Sequence, residues 1–143
     1  MGQIFSLTAK EARKIMDAAV QTLETQFIAA SVCLVNRDGT IIVSLMMDGV
    51  RPHTANVARL KAQQSALTGK STLDIRDEIA AGKKTAEILG IPANELICWA
   101  GGMPIYDKEG NLLGGIGVSE PGEMTEEMVA ENAVCKAGFD VKK

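Results

Sequence analysis

The sequence predicts an α+β domain, with a central, mostly antiparallel sheet of about five strands flanked by helices. Three observations carry this. Two hairpin turns stand out, Asn36-Arg37-Asp38-Gly39 and Asp107-Lys108-Glu109-Gly110; each ends in a glycine that reaches positive φ without strain. Apolar residues at helical spacing lie before, between and after the hairpins. The resulting order (helix, hairpin, helices, hairpin, helix) lacks the strand-helix-strand repetition of a doubly wound parallel sheet. A chain of 143 residues suits a single domain, 1–143. It buries roughly two-thirds of its unfolded surface without disulfides or metal.

Thr8-Ala9-Lys10-Glu11 reads as a capping box, in which hydroxyl and carboxylate each satisfy an orphan amide at a helix start. Ala12, Ile15, Met16, Ala19, Val20 and Leu23 then recur at helical spacing. Phe27 to Val35 is rich in β-formers, and Thr40 to Met47 returns as its hairpin partner. Asp48-Gly49-Val50-Arg51-Pro52 breaks the strand. A helix follows from about His53 to Leu67, with Ala55, Ala58, Ala62 and Ala66 as a strip of small residues. Thr72 to Leu89 forms one or two shorter helices, broken near Gly82 and ended by Gly90 and Pro92. Leu96 to Trp99 is read as a short strand. Thr125 is expected to cap the last helix, with Glu126 and Glu127 in its first turn, where negative charge suits the helix dipole. Val129, Ala133, Val134 and Ala137 form its inner face, and Gly138 with Phe139 gives the stop.

The segment Gly101 to Glu120 is the most informative. Gly114, Gly115 and Gly117 sit inside the second strand of its hairpin. Glycine weakens a strand, so a cluster of them signals close approach by another backbone or by a ligand. A helix lying tightly across the sheet and a bound small molecule both fit.

Composition excludes several classes. Formal net charge is −3, and no basic stripe exceeds pairs such as Lys83-Lys84. Aromatic residues make up only 3% of the chain, too few for stacking platforms, so nucleic acid is not an expected partner. Cys33, Cys98 and Cys135 are scattered, with neither disulfide nor metal-ligand spacing. They read as small hydrophobes in a reducing compartment. Met1-Gly2 with Ser6 superficially fits an acylation pattern but has no second membrane signal. No apolar run approaches the ~20 residues that span a bilayer. The expected location is the cytoplasm, without membrane association.

No ready-made catalytic constellation is present. The glycines at 114, 115 and 117 lie within a strand rather than opening a helix, so a dinucleotide fingerprint fails. Gly69-Lys70-Ser71 lacks the upstream glycine of a phosphate loop. His53 is the only histidine and no Gly-x-Ser-x-Gly elbow exists.

What remains is a binding-site argument. Pro52-His53-Thr54 opens the second helix, where orphan amides favour anions and disfavour imidazolium, which keeps a histidine free to ligate metal. The alternative is an exposed terminal residue with no ligand. Lys61 follows Thr54 by two turns. It is either a solvated charge or the neutralising partner of a carboxylate at a pocket mouth, and its replacement by Met is expected to barely change stability. Met46 and Met47 are soft enough to line an apolar cavity or to pack in the core. Glu120 and Glu123 flank Pro121-Gly122 as acid-base groups or as a solvated loop.

The chain resembles the GlcG/HbpS-like family of small haem-associated proteins. The resemblance rests on three segments: Met47-Asp48-Gly49 opening a helix that carries Lys61-Ala62; Gly101-Gly102-Met103-Pro104-Ile105; and Gly114-Gly115-Ile116-Gly117-Val118-Ser119 before a helix ending Ala137-Gly138-Phe139. It implies a profilin-like fold, homo-oligomers, and binding of haem or another small molecule. It also implies an accessory role in a metabolic operon such as glycolate or diol/glycerol use, since the C-terminal domain of diol-utilisation corrinoid adenosyltransferases is similar. The expected site lies between the second helix and the glycine-rich hairpin and comprises His53, Thr54, Lys61, Gly101, Gly102, Met103 and Glu120; His53 is not a ligand inherited from the family pattern and is the candidate haem ligand by its place at the helix start. After Ser119 the chain departs from the family pattern: the carboxylates of Glu120 and Glu123 oppose haem propionates. Haem binding is therefore expected to be weak, in the micromolar range. A small enzyme using Lys61, His53 or Glu120 on a carbonyl or alcohol, and a purely structural assembly module, remain the alternatives.

Overall fold

The computed structural model describes residues 5–120 and 122–143; Met1-Gly2 and Pro121 lie outside them. The elements are α1 (Ala9–Thr25), β1 (Ser31–Asn36), β2 (Ile41–Met46), α2 (His53–Thr68), α3 (Thr72–Ala80), α4 (Ala86–Leu89), β3 (Gly102–Tyr106), β4 (Leu112–Ser119) and α5 (Glu123–Lys136). They build an antiparallel sheet of four strands in the order β2-β1-β4-β3. Helices cover both faces.

The expected fifth strand, Leu96 to Trp99, is absent. Gln64 of α2 takes the place of a neighbouring strand: Ile97 N–H donates to its Oε1 at 2.8 Å, and its Nε2 donates to the Ile97 carbonyl at 2.9 Å. With both main-chain groups satisfied by one side chain, the segment needs no place in the sheet.

One sheet face packs against α1 and α5. There Val32, Leu34, Met103, Ile105, Ile116 and Val118 meet Ile15, Ala19 and Leu23 of α1 and Val129, Ala133 and Val134 of α5. The other face receives α2, whose Ala58, Ala62 and Ala66 meet Cys33 and Val35. The glycines of β4 set the distance of that contact. A Cβ on Gly117 would stand 2.0 Å from the Ala58 carbonyl oxygen, and one on Gly115 would stand 2.3 Å from that of Ala62. Of the two readings of this glycine cluster, the tightly crossing helix is the one observed.

The capping box at Thr8 and Glu11 forms as expected. Thr125 does not cap α5. The helix starts one turn earlier, behind Gly122 and without a side-chain cap bond. Its far end follows expectation: Gly138 adopts φ +96, and the Gly138 and Phe139 amides close onto Cys135 and Val134 at 3.1 Å. Among the described residues no helix is long and apolar enough to cross a membrane.

Candidate functional site

The seven residues predicted for one pocket separate into two places. Lys61, Gly101, Gly102, Met103 and Thr54 are buried, whereas His53 is exposed and Glu120 lies part-exposed at the end of the sheet.

Lys61 is fully buried. The alanine strip lays α2 on β4, and Lys61, one position before Ala62, points past the strand edge toward α5. Its ammonium donates to the Val118 carbonyl at 2.9 Å and to Glu126 Oε2 at 3.0 Å. Burial pushes the Lys61 pKa below its ordinary value, and the Glu126 carboxylate partly opposes that shift. Gly101 makes the room: a Cβ there would stand 2.6 Å from the Val118 carbonyl oxygen and 3.0 Å from Lys61 Nζ. Gly102 is equally confined, its notional Cβ falling 2.8 Å from the Lys61 carbonyl oxygen and 2.5 Å from Thr72 Cγ2. Met103 packs in the core on the opposite face. The expected opening between α2 and the glycine-rich hairpin is therefore closed by the helix itself. Lys61 is neither solvated nor at a pocket mouth, which corrects both sequence readings. It does neutralise a carboxylate, but an interior one.

Thr54 is also interior. Its hydroxyl lies 2.8 Å from Ser31 Oγ and donates to the Arg51 carbonyl at 2.6 Å. That arrangement pins the first turn of α2 to the start of β1.

The accessible groups gather at one end of the sheet, where Ser31 pairs with both Met46 and Ser119. His53 is exposed at the start of α2. Met46, at the end of β2, is 49% exposed. Arg51 reaches Glu120, donating from Nε to Oε1 at 2.8 Å and from a terminal nitrogen to the same oxygen. Glu123 is engaged as well, accepting from Arg76 at 2.6 Å and from the Ala100 amide at 3.1 Å. Both carboxylates expected to repel propionates therefore have guanidinium partners. The sequence reading gave no site role to Arg51 or Arg76 and read Glu126 only as first-turn charge on the last helix. Glu126 had a legible signal, since it precedes Val129 and Ala130 by three and four residues and so falls on the inner face of α5. Arg51 had none, because its partner is distant in sequence.

The alternative of an enzyme that uses Lys61, His53 or Glu120 loses Lys61 as an accessible group. Lys61 is sealed in the interior, apart from the exposed His53, and among the described residues no group of three or more His, Cys, Asp or Glu is placed to hold a metal ion.

The fold and this exposed corner define a class of small α+β domains built on a single antiparallel sheet with helices on both faces. The family described as "Haem degrading protein HbpS-like" matches residues 7–135, and the chain belongs to it. Solved structures agree. The complex of PduOC with heme is similar at 19% identity, over 96% of this chain and 99% of that one, with a TM-score of 0.86. Klebsiella pneumoniae protein ORFY is similar at 20% identity, over 96% and 94% of the two chains, with a TM-score of 0.84. A double mutant of Streptomyces reticuli HbpS reaches 28% identity over 95% and 90%, with a TM-score of 0.81. A search of curated protein sequences gives no significant match.

Proposed function

We propose that this protein is a haem-binding accessory protein of a metabolic operon such as glycolate or diol/glycerol utilisation, acting in the cytoplasm. His53 is the haem ligand and Arg51 the partner of the propionates. The observation that carries this is the exposed imidazole at the start of α2, beside an arginine whose side chain is 75% exposed. Family membership and the likeness to a protein solved with heme support the choice of ligand.

The residues present fit such a group at the surface. The exposed imidazole of His53 is accessible to a metal. Met46 offers an apolar, soft neighbour. Haem, when bound, would supply an iron that the His53 imidazole would hold. Everything else is the chain's own work: Thr54 and Ser31 hold the helix start in place, and Arg51 balances Glu120. The pairing of both carboxylates removes the main electrostatic objection, yet His53 is exposed rather than enclosed. Affinity therefore stays in the micromolar range, on the order of −8 kcal/mol.

Haemin titrated into wild type and His53→Ala, followed by the Soret band, tests this. A saturable shift in wild type that is lost in the variant is expected. No shift, or a tight complex indifferent to the substitution, overturns it.

A further inference from the structure

Between α1, α3 and α5 runs a cleft of about 670 Å³ that takes no part in the haem reading. Leu73 of α3 lines it together with Met124 and Met128 of α5, which are 87% and 46% exposed. These are apolar, adaptable walls. Two carboxylates of α5, Glu127 and Glu131, join the lining one helical turn apart, and among the described residues no lysine or arginine does. An anion is therefore a poor occupant. A wholly apolar one would leave two negative charges facing hydrocarbon.

Glu127 is the informative residue. Its side chain is part-exposed, yet its Oε1 is buried and has no hydrogen-bond partner. A buried acceptor without a donor is costly, and more so on a charged group. Burial pushes the Glu127 carboxyl above its usual pKa; the Gly101 amide opposes that shift, Glu131 and Asp74 reinforce it, and Arg76 opposes it. Arg76 itself is already engaged, donating to Glu123 at 2.6 Å. Because Oε1 has no bond to break, the side chain can turn to a donor in the cleft without losing a partner.

We propose that this cleft binds a primary aliphatic ammonium ion, which donates to the Glu127 carboxylate with Glu131 beside it and lays its hydrocarbon tail on Leu73, Met124 and Met128. Three needs of the site define that class. The paired carboxylates require positive charge, the orphan oxygen requires an N–H, and the walls require hydrocarbon. A quaternary ammonium brings charge without a donor, and an alcohol brings a donor without charge. A metal ion is not the occupant, since among the described residues no group of three or more His, Cys, Asp or Glu is placed to hold one.

Amide chemical-shift titration of the isotope-labelled full chain with n-butylammonium chloride tests this. Saturable shifts confined to α3, α5 and the end of α1 are expected, with affinity rising roughly fourfold per methylene from methylammonium to butylammonium. Tetramethylammonium and n-butanol should bind roughly tenfold more weakly or worse. Glu127→Gln keeps the side chain's shape and relieves repulsion with Glu131 and Asp74, so it should fold as stably as wild type or more so. Its affinity for n-butylammonium should fall roughly tenfold or more. Leu73→Ala should weaken butylammonium while leaving methylammonium unchanged. No saturable binding by wild type, equal affinity in Glu127→Gln, or tetramethylammonium binding as well as butylammonium each overturns the proposal. His53→Ala should bind n-butylammonium as wild type does, so the result stands apart from the haem reading.

Discussion

At its N-terminal end α2 presents His53 to solvent and, two residues before it, Arg51 is paired with Glu120. Two turns further along, the same helix buries Lys61 against Glu126. Both are single lysine- or arginine-to-carboxylate pairs, yet their surroundings give them opposite consequences. At the Arg51–Glu120 pair water screens the charges, and such pairs are worth about 0–1 kcal/mol. The Lys61–Glu126 pair is shut between the Gly101–Gly102 backbone, β4 and α5, where either charge left alone is costly. The exposed end is thus free to be tuned for a ligand, while the buried middle is committed to joining helix, sheet and helix.

The largest break in this comparison is Lys61→Met, which leaves the Glu126 carboxylate unpaired in the interior. Urea unfolding should show a loss of about 3–5 kcal/mol. Lys61→Met combined with Glu126→Leu should recover most of it, since no buried charge then remains. A double loss equal to the sum of the singles would show that the two residues do not act as a pair.

Gly117→Ala comes next. Its β-carbon meets the Ala58 carbonyl oxygen at 2.0 Å, and main chain on both sides leaves no flexible side chain to give way. Equilibrium unfolding should record a loss of about 3 kcal/mol. Unchanged stability would mean that α2 is free to lift from the sheet.

The pH dependence of the buried pair has a definite sign. Lys61 is held below lysine's ordinary 10.5 in the folded state. Between that lowered value and 10.5 the unfolded chain binds more protons than the folded one, so stability rises with pH across this window. Urea midpoints measured from neutral pH to 10.5 should rise in wild type relative to the Lys61→Met/Glu126→Leu variant. A flat difference would contradict the burial of the ammonium.

The smallest effects on stability belong to the exposed end. Arg51→Ala should cost less than about 1 kcal/mol in unfolding. Haemin affinity should nevertheless weaken severalfold, because Glu120 then faces the propionates unopposed. Glu120→Gln should act in the opposite sense. Identical Soret titrations for both variants would remove Arg51 from the site.

Much of this molecule is legible along the chain. The capping box at Thr8, the hairpin turns at Gly39 and Gly110, the stop at Gly138 and the close approach demanded by Gly115 and Gly117 all follow from residue type and spacing, because they depend on neighbours within a few positions. Tertiary structure decided the rest. Leu96 to Trp99 has the composition of a strand, but Gln64 satisfies its backbone from another element. Lys61 has the spacing of a residue on α2 and nothing local to say whether it meets water or protein. Its fate was set by Glu126, which lies 65 positions away. Local patterns state which elements form; whether a charge is solvated, paired or sealed depends on the distant group that arrives beside it, because desolvation is a property of the assembled interior rather than of the chain.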